Sequence, residues 1–377
     1  MNRSEVPHFL PFVRPAIGED TIAGVADVLR SGWITTGPQV AAFEAALGEY
    51  AGGRTVLAFC HATGALEESL RALGIGPGDE VIVPDMTFAA TLNVVFRVGA
   101  TPVLVDVDLE SRNLDAAGVE AALTPRTRAI MPVHYAGLAV DMDPLNALAK
   151  THDLRIVEDA AHAIGTTYKG RRIGSFGDVV CYSFHANKNL TTIEGGAVVT
   201  EDETVLERLR ALRFHGQVKL DDGSYDVIMP ASKYNMSDVS ARIGLDQLAV
   251  VDARNARRRE LAHRYLDALA DFEGVLLSAR GDEGHAWHMF AVCIDYQHFK
   301  LDRKQVRDAL QARGIGTGVH YPALHQLSVC RELNVSAEDF PNADHIGRQT
   351  LTLPLFPEMS EVDVDRVVSE LKAVLHG

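Results

Sequence analysis

Short apolar runs alternate with longer amphipathic segments through the first two-thirds of the chain. Residues 22–32, 41–53 and 63–80 carry apolar side chains at helical spacing, and the first of these segments ends at Gly32. The predicted strands are the apolar runs 55–59, 80–84, 101–108, 128–135, 154–161, 178–184 and 196–201. Because strands buried on both faces read as continuous apolar runs, this alternation predicts a mostly parallel sheet with helices on both faces.

The pattern changes near residue 250. The elements predicted beyond it are a long charged helix over 246–271, a strand over 288–295 and helices over 302–313 and 360–375. Such a mixture is typical of a smaller α+β domain. We therefore predict a large α/β domain over residues 1–250 and a small domain over 251–377, with roughly the first 20 residues packing against the small domain.

Composition and charge exclude several classes of protein. With 377 residues, of which 47% are hydrophobic and 23% charged, the chain has the make-up of an ordinary globular protein with an ample core. A net charge of −15 argues against nucleic-acid and anionic-membrane partners. The four cysteines are far apart and form no CxxC pair, so we expect neither a metal site nor a disulfide framework. The sequence shows no apolar leader and no membrane-length run, so we expect a cytoplasmic location.

Polar residues follow several predicted strands, at the sheet edge where α/β proteins bind ligands. Thr63 and Gly64 come after the run 55–59, at the start of a helix, a position that suits a phosphate as well as an ordinary helix cap. Asp159 lies at the end of an apolar run, where it could face a cationic partner or cap the next turn. His162, three residues later, is by itself more typical of a hydrogen-bonded core histidine.

The stretch SFHANKNLTTIEGG, residues 183–196, places Lys188 in a polar run directly after an apolar strand. Asp159 and Lys188 are one strand apart, so neighbouring strands can deliver both side chains to one pocket. Burial lowers the pKa of a lysine and makes it a nucleophile toward carbonyl groups. Pyridoxal phosphate needs such a lysine, a carboxylate for its ring nitrogen, a phosphate cradle and a flat group over the ring. Phe88 is the candidate for the flat group, although an aromatic residue there is equally typical of the core.

Residues 157–200, VEDAAHAIGTTYKGRRIGSFGDVVCYSFHANKNLTTIEGGAVVT, resemble the DegT/DnrJ/EryC1/StrS sugar aminotransferases, which are fold type I pyridoxal-phosphate enzymes. The resemblance extends nearly end to end, through residues 31–44, 78–95, 99–108, 233–248, 285–290, 314–325 and 353–359. Within that family, the segments EDAAHAIGTTYKGR, HAWH and RGIGTGVH are most similar to the members that transaminate UDP-4-keto-arabinose. The resemblance implies the fold type I architecture, with a mostly parallel central sheet and a smaller C-terminal α+β domain.

The resemblance also implies a set of site residues. Lys188, which binds the cofactor covalently, and Asp159, which faces its pyridine nitrogen, match the catalytic pair. The cofactor contacts are Thr63, Gly64, Phe88, Asp159, His162, Ser183, Lys188 and Asn235. The residues that border the substrate pocket are Trp33, Thr35, His185, His320 and Tyr321. Asn235 matches a residue that is donated across a homodimer interface, so the resemblance implies an active site shared between two copies.

The resemblance implies a reaction in which the amino group of glutamate is transferred to a keto-sugar. The acceptor it favours is a nucleotide-linked 4-keto or 3-keto sugar, and the cofactor passes through its pyridoxamine phosphate form.

Two segments depart from the family. The predicted phosphate-binding segment, residues 60–66, reads CHATGAL where relatives have SSGTAAL. We therefore expect His61 or Cys60 to replace one hydroxyl contact to the phosphate. Residues 215–235, which help to shape the sugar site, show little likeness to the nucleotide-sugar enzymes.

Other functions remain open from the sequence. A same-fold aminotransferase acting on a non-nucleotide ketone, such as a keto-inositol, fits the residues as well. A non-catalytic sensor that binds the cofactor and a sugar is disfavoured, because both Lys188 and Asp159 are present and no extra DNA-binding segment is apparent. The dehydratases of this fold carry histidine at the lysine position, and a nicotinamide dehydrogenase needs a GxGxxG motif that the first strand lacks.

Overall fold

The computed structural model describes residues 9–377. Its strands are β1 (Thr55–Phe59), β2 (Glu80–Pro84), β3 (Thr101–Val105), β4 (Thr127–Ile130), β5 (Arg155–Asp159), β6 (Thr167–Tyr168), β7 (Arg171–Arg172), β8 (Val179–Ser183), β9 (Gly196–Thr200), β10 (Gln217–Lys219), β11 (Tyr225–Val227), β12 (Val275–Leu276), β13 (Phe290–Ile294) and β14 (Thr350–Leu353). Its α-helices are α1 (Glu19–Ser31), α2 (Pro38–Tyr50), α3 (Ala62–Ala72), α4 (Ala89–Arg97), α5 (Ala116–Ala121), α6 (Met142–His152), α7 (Glu203–Leu212), α8 (Asp238–Leu269), α9 (Arg303–Ala312), α10 (Pro341–Gln349) and α11 (Glu361–His376). Short 3₁₀ turns occupy Tyr135–Gly137, Leu324–Gln326, Ser328–Leu333 and Ala337–Asp339.

The central sheet has seven strands among the described residues, in the spatial order β1-β9-β8-β5-β4-β2-β3. β9 is antiparallel to both of its neighbours, and the other pairs in the sheet are parallel. The mostly parallel sheet predicted from the apolar runs is therefore confirmed. β5 and β8 are adjacent, with Asp159 in register with Cys181, so the chain segments that follow these two strands leave the sheet side by side.

Helices cover both faces of this sheet, as the two-sided apolar runs require. Val157 and Val198 pack on one face with apolar residues of α3, α4 and α7. Val180 and Val199 point to the opposite face, where α2 and α8 supply the packing, and α5 and α6 cover the neighbouring strands there. Because side chains alternate along a strand, one apolar run fills both layers of the core.

A second, antiparallel sheet is formed by β12, β13 and β14. It packs with the second half of α8 and with α9 and α11 in a separate apolar cluster that also contains Leu10. The backbone of Leu10 exchanges hydrogen bonds of 2.8 Å with Gly314 and Gly316. Of the first 20 residues, which were predicted to pack against the small domain, residues 1–8 lie outside the described part of the chain. The domain boundary at residue 250 stays a prediction, because α8 runs through it without interruption.

Several element boundaries differ from the predictions. The strands at 55–59 and 80–84 match, whereas α3 ends at Ala72, eight positions before the predicted end, because Gly74 and Gly78 follow with positive φ. α8 begins at Asp238 instead of 246, where the Ser237 side chain accepts the backbone N–H of Ser240 as an N-cap. The four helices α4 to α7 were not predicted. Within residues 9–377 no helix is both long and apolar enough to span a bilayer.

Candidate active site

A cavity of about 250 Å³ opens at the carboxyl ends of the parallel strands. Its lining includes residues after β1, β2, β5 and β8 and a segment from the C-terminal part of the chain. The polar residues that line it are His61, Thr63, Thr87, Asp159, His162, Ser183, His185, Asn187, Lys188, Glu194, His320 and Tyr321. In the described part of the chain no group of three or more His, Cys, Asp or Glu residues is arranged to hold a metal ion.

Lys188 lies on the wall of this cavity, in the turn after β8. Its backbone N–H donates to the His185 carbonyl at 2.9 Å. The next residue, Asn189, is buried and donates from Nδ2 to the Asn255 Oδ1 and to the Ala286 carbonyl, at 2.8 and 2.9 Å. These bonds fix the backbone from which the lysine projects. Burial lowers the pKa of Lys188 to about 8, against an opposing contribution from the negative charge of Asp159.

Asp159, the last residue of β5, is 5% exposed. Its Oδ2 accepts a hydrogen bond from the Thr91 hydroxyl at 2.8 Å, and its Oδ1 accepts from the Ala161 N–H at 3.1 Å. Burial raises the pKa of this carboxyl, while these two donors and the charge of Lys188 act in the opposite direction. Both recorded donors are uncharged, so the site has a buried carboxylate suited to a cationic partner.

Three rings are stacked beside these two groups. The His162 ring lies 4.4 Å from the His288 ring and 6.2 Å from the Tyr321 ring, measured between centroids. His162 Nδ1 accepts the Ala136 N–H at 3.3 Å, so Nε2 carries the hydrogen and donates it to the Tyr321 hydroxyl oxygen at 3.1 Å. Burial holds the pKa of His162 well below its usual value. The histidine is therefore a neutral donor whose tautomer is set by the backbone.

The start of α3 approaches the first residue of β9 closely. A Cβ on Gly196 would lie 2.5 Å from the Ala62 nitrogen, so only glycine fits there. His61 caps the helix through Nδ1, which accepts the Gly64 N–H at 2.8 Å. The Thr63 and Ser183 hydroxyls belong to this end of the cavity. A helix N-terminus with two neighbouring hydroxyls suits an anionic group such as phosphate.

The model of the DegT/DnrJ/EryC1/StrS aminotransferase family matches residues 15–372. The chain belongs to this family. Among solved structures it is similar to Spr1654 from Streptococcus pneumoniae in its PMP form, a proposed sugar aminotransferase, with 36% identity, 98% of each chain covered and a TM-score of 0.91. It is also similar to DesV from S. venezuelae (36% identity, 98% of this chain and 99% of that one, TM-score 0.90). DesI, solved in the presence of its TDP-sugar product, is 34% identical over 98% of this chain and 93% of its own, with a TM-score of 0.88.

The protein is thus a pyridoxal-phosphate-dependent sugar aminotransferase of the DegT/DnrJ/EryC1/StrS family. The chemical groups in the site also suit pyridoxal phosphate, independently of the comparisons. It has an amine with a lowered pKa, a buried carboxylate with uncharged donors and a glycine-lined helix N-terminus. Phe88, 58% exposed at the mouth of the cavity, presents an aromatic ring.

Most of the predicted site residues meet in this cavity. Those that line it are Thr63, Phe88, Asp159, His162, Ser183, His185, Lys188, His320 and Tyr321. The other predicted residues, Gly64, Trp33, Thr35 and Asn235, do not line it. The Gly64 N–H is already bonded to His61, and Trp33 and Thr35 are exposed on the surface. Asn235 donates from Nδ2 to the Thr36 hydroxyl at 2.6 Å, and its Oδ1 is buried without a partner.

Sequence reasoning did not assign several residues that shape the site. Thr91, which donates to Asp159, follows Thr87 by one helical turn, and their hydroxyls are 2.8 Å apart. That i, i+4 pair of threonines at a helix start was the available signal. His288, stacked on His162, lies in the HAWH segment that carries part of the family resemblance. Its contact with His162 joins residues 126 positions apart, which no local pattern can reveal.

Proposed function

We propose that the protein transfers the amino group of glutamate to a nucleotide-linked keto-sugar. The observation that carries this proposal is the convergence of Lys188, in the turn after β8, and Asp159, at the end of the adjacent strand β5, in one cavity. The wall beyond them supplies mostly uncharged polar groups, which suit the hydroxyls of a sugar. The nucleotide-linked substrate is proposed by analogy with DesI, which was solved with its TDP-sugar product.

The residues have separate roles in this proposal. Lys188 binds the cofactor covalently and, once released as a free amine, removes the Cα proton of the amino donor as a general base. Its pKa of about 8 makes the neutral amine accessible near neutral pH. Asp159 keeps a proton on the pyridine nitrogen through its negative charge. When bound, pyridoxal phosphate supplies an electron sink for the electron pair left at Cα.

The remaining residues hold and orient the cofactor and the acceptor sugar in this proposal. Thr63 and Ser183, with the N-terminus of α3, would hold the phosphate, and Phe88 would supply an aromatic face for the cofactor. Neutral His162 would lie near the cofactor's 3-hydroxyl, while its Nε2–H stays bonded to the Tyr321 hydroxyl oxygen. His185, His320 and Tyr321 bind the acceptor sugar, since their polar groups line the open part of the cavity.

Two copies of the chain form the complete site in this proposal. Trp33, Thr35 and Asn235 do not line the cavity of their own chain, and Trp33 is 60% exposed. The unpartnered Asn235 Oδ1 and the exposed indole fit a second copy that receives these residues at its own cavity. A homodimer measured by light scattering supports this arrangement, and a monomeric, fully active protein contradicts it.

The test is the absorbance of the purified protein loaded with pyridoxal phosphate, recorded before and after glutamate. We expect the band of the lysine-bound cofactor to bleach with glutamate and to return on addition of the correct keto-sugar. A panel of nucleotide keto-sugars and non-nucleotide ketones then identifies the acceptor. Return of the band only with a non-nucleotide ketone such as a keto-inositol contradicts the nucleotide assignment.

Lys188→Ala and Lys169→Ala provide the matched pair for this test. Lys169 is exposed and paired with Asp143 on the surface, so its replacement leaves the spectrum and the bleaching unchanged. Lys188→Ala abolishes both. Full transaminase activity in Lys188→Ala is incompatible with the proposed role of this lysine.

A further inference from the structure

Arg112 is a buried arginine in the turn after β3, with only 1% of its surface exposed. Its backbone has φ of 60°, in the left-handed region, and its N–H donates to the Asp108 carbonyl at 2.8 Å. The guanidinium donates to the Tyr135 hydroxyl at 3.3 Å, the Ala291 carbonyl at 3.1 Å and the Cys293 sulfur at 3.5 Å. All three acceptors are uncharged. A buried cation held by uncharged acceptors is costly, so a purely structural role is a poor explanation for it.

Tyr135 extends this chain of hydrogen bonds into the active site. Its hydroxyl accepts from Arg112 and donates to the His320 carbonyl at 2.6 Å. The Thr350 hydroxyl, from β14, donates to the same carbonyl at 3.1 Å. Because hydrogen bonds in series polarise one another, the Arg112 cation makes the Tyr135 hydroxyl a stronger donor. The His320 carbonyl is therefore held from two sides.

The peptide group whose carbonyl is bonded in this way joins His320 to Tyr321, and the side chains of both residues line the cavity. The Tyr321 ring stands perpendicular to the Tyr135 ring, with centroids 6.5 Å apart and an interplanar angle of 90°. His162 Nε2 donates to the Tyr321 oxygen, so the Tyr321 hydroxyl hydrogen is free to be donated elsewhere. Tyr321 lines the cavity. Its free hydrogen is thus available to a molecule bound there.

We infer that Arg112 and Tyr135 are positioning residues for the aminotransferase reaction. They hold the His320–Tyr321 peptide so that the Tyr321 hydroxyl is presented to the bound substrate as a hydrogen-bond donor. Neither residue lines the cavity, and both act through the His320 carbonyl. This inference rests on the proposed binding of substrate beside His320 and Tyr321.

The first test is Tyr135→Phe, which removes one hydroxyl and keeps the ring. We expect cofactor binding to remain, judged by the absorbance band, and kcat for transamination to fall by about tenfold because Tyr321 is no longer held in place. Tyr265→Phe is the matched control. Tyr265 is also buried and donates to a backbone carbonyl, that of Pro354 at 3.0 Å, but it lies in the core of the C-terminal cluster.

A second readout uses the protein without cofactor. Hydrogen exchange of peptides that cover residues 318–324 should become faster in Tyr135→Phe and stay unchanged in Tyr265→Phe. Thr350→Val removes the other donor to the His320 carbonyl and should reproduce both effects in weaker form. Arg112→Met combined with Tyr135→Phe should lower kcat no further than the more affected single variant, since both residues act through one chain.

The outcomes separate this inference from the proposed function. If the parent enzyme does not bleach with glutamate, the proposed function fails whatever the variants do. If the parent is active and Tyr135→Phe matches Tyr265→Phe in kcat and in exchange of residues 318–324, the inference is overturned. Additive losses in the double variant also overturn it, because they would place Arg112 and Tyr135 in separate chains.

Discussion

The lowered pKa of Lys188 predicts that this lysine destabilises the cofactor-free protein. Its pKa falls from 10.5 to about 8, and each pKa unit corresponds to about 1.4 kcal/mol, so the cost of the buried charge is at most about 3–4 kcal/mol. The lysine is partly open to the cavity, and water screens its charge. We therefore expect Lys188→Met to stabilise the cofactor-free protein by about 1–3 kcal/mol at pH 7 while abolishing activity.

The pH dependence gives the sharper test. Below pH 8 the lysine is charged in both the folded and unfolded chains, and the full cost is present. Between about pH 8 and 10.5 the unfolded chain binds more protons than the folded one, so the stability of the parent rises with pH. Lys188→Met lacks this rise, and its advantage over the parent should shrink toward zero across the same interval.

The assay is urea unfolding of the cofactor-free protein at intervals from pH 6.5 to 10.5, with Lys169→Met as the control. Lys169 is exposed, and its ion pair with Asp143 raises its pKa, so that substitution leaves the dependence between pH 8 and 10.5 as in the parent. Equal stability of Lys188→Met and the parent at pH 7, with parallel curves up to pH 10.5, would refute the reasoning.

Two further substitutions test other parts of the site, and a third tests a buried pair that does not line the cavity. Thr91→Val removes a hydroxyl donor from Asp159; we expect the pKa of that carboxyl to rise further and kcat to fall by about tenfold, and an unchanged kcat would contradict this. Gly196→Ala forces a Cβ against the start of α3, so cofactor retention on dialysis should decrease and stability should fall by about 1–3 kcal/mol, whereas parental retention would show that the backbone yields. His325→Gln removes the imidazole that contacts buried Asp85, and we expect a loss of about 3–5 kcal/mol in urea unfolding; a loss below about 1 kcal/mol would mean that this pair is not a stabilising contact.

The parts of the fold predicted best are those in which burial alone decides the structure. β1 and β2 are apolar on both faces and bounded by turn residues, so their limits could be predicted from the sequence. α3 was predicted too long because apolar spacing continues past Ala72, while the backbone turns at Gly74. The apolar spacing alone therefore did not locate the end of this helix.

In the site, too, residues with a local sequence signal were predicted, and a residue buried only by tertiary contacts was not. Asp159 and Lys188 were predicted together because both follow strands, and β5 and β8 are neighbours. Arg112 offered no such signal. In the sequence it stands in a turn among charged and polar residues, where an arginine is normally solvated, and its burial comes from contact with β13, 179 residues away.

The two charged residues at the bottom of the cavity explain why this site should bind its cofactor tightly. Burial disfavours the charged form of both Lys188 and Asp159, and their mutual attraction offsets only part of that cost, since the pKa of the lysine stays low and that of the carboxyl stays raised. Covalent attachment of the lysine and protonation of a ring nitrogen beside Asp159 would relieve both penalties in one step. Loading should therefore stabilise the protein by more than the new contacts alone provide, and the excess should be smaller in Lys188→Met, which carries no buried amine to relieve.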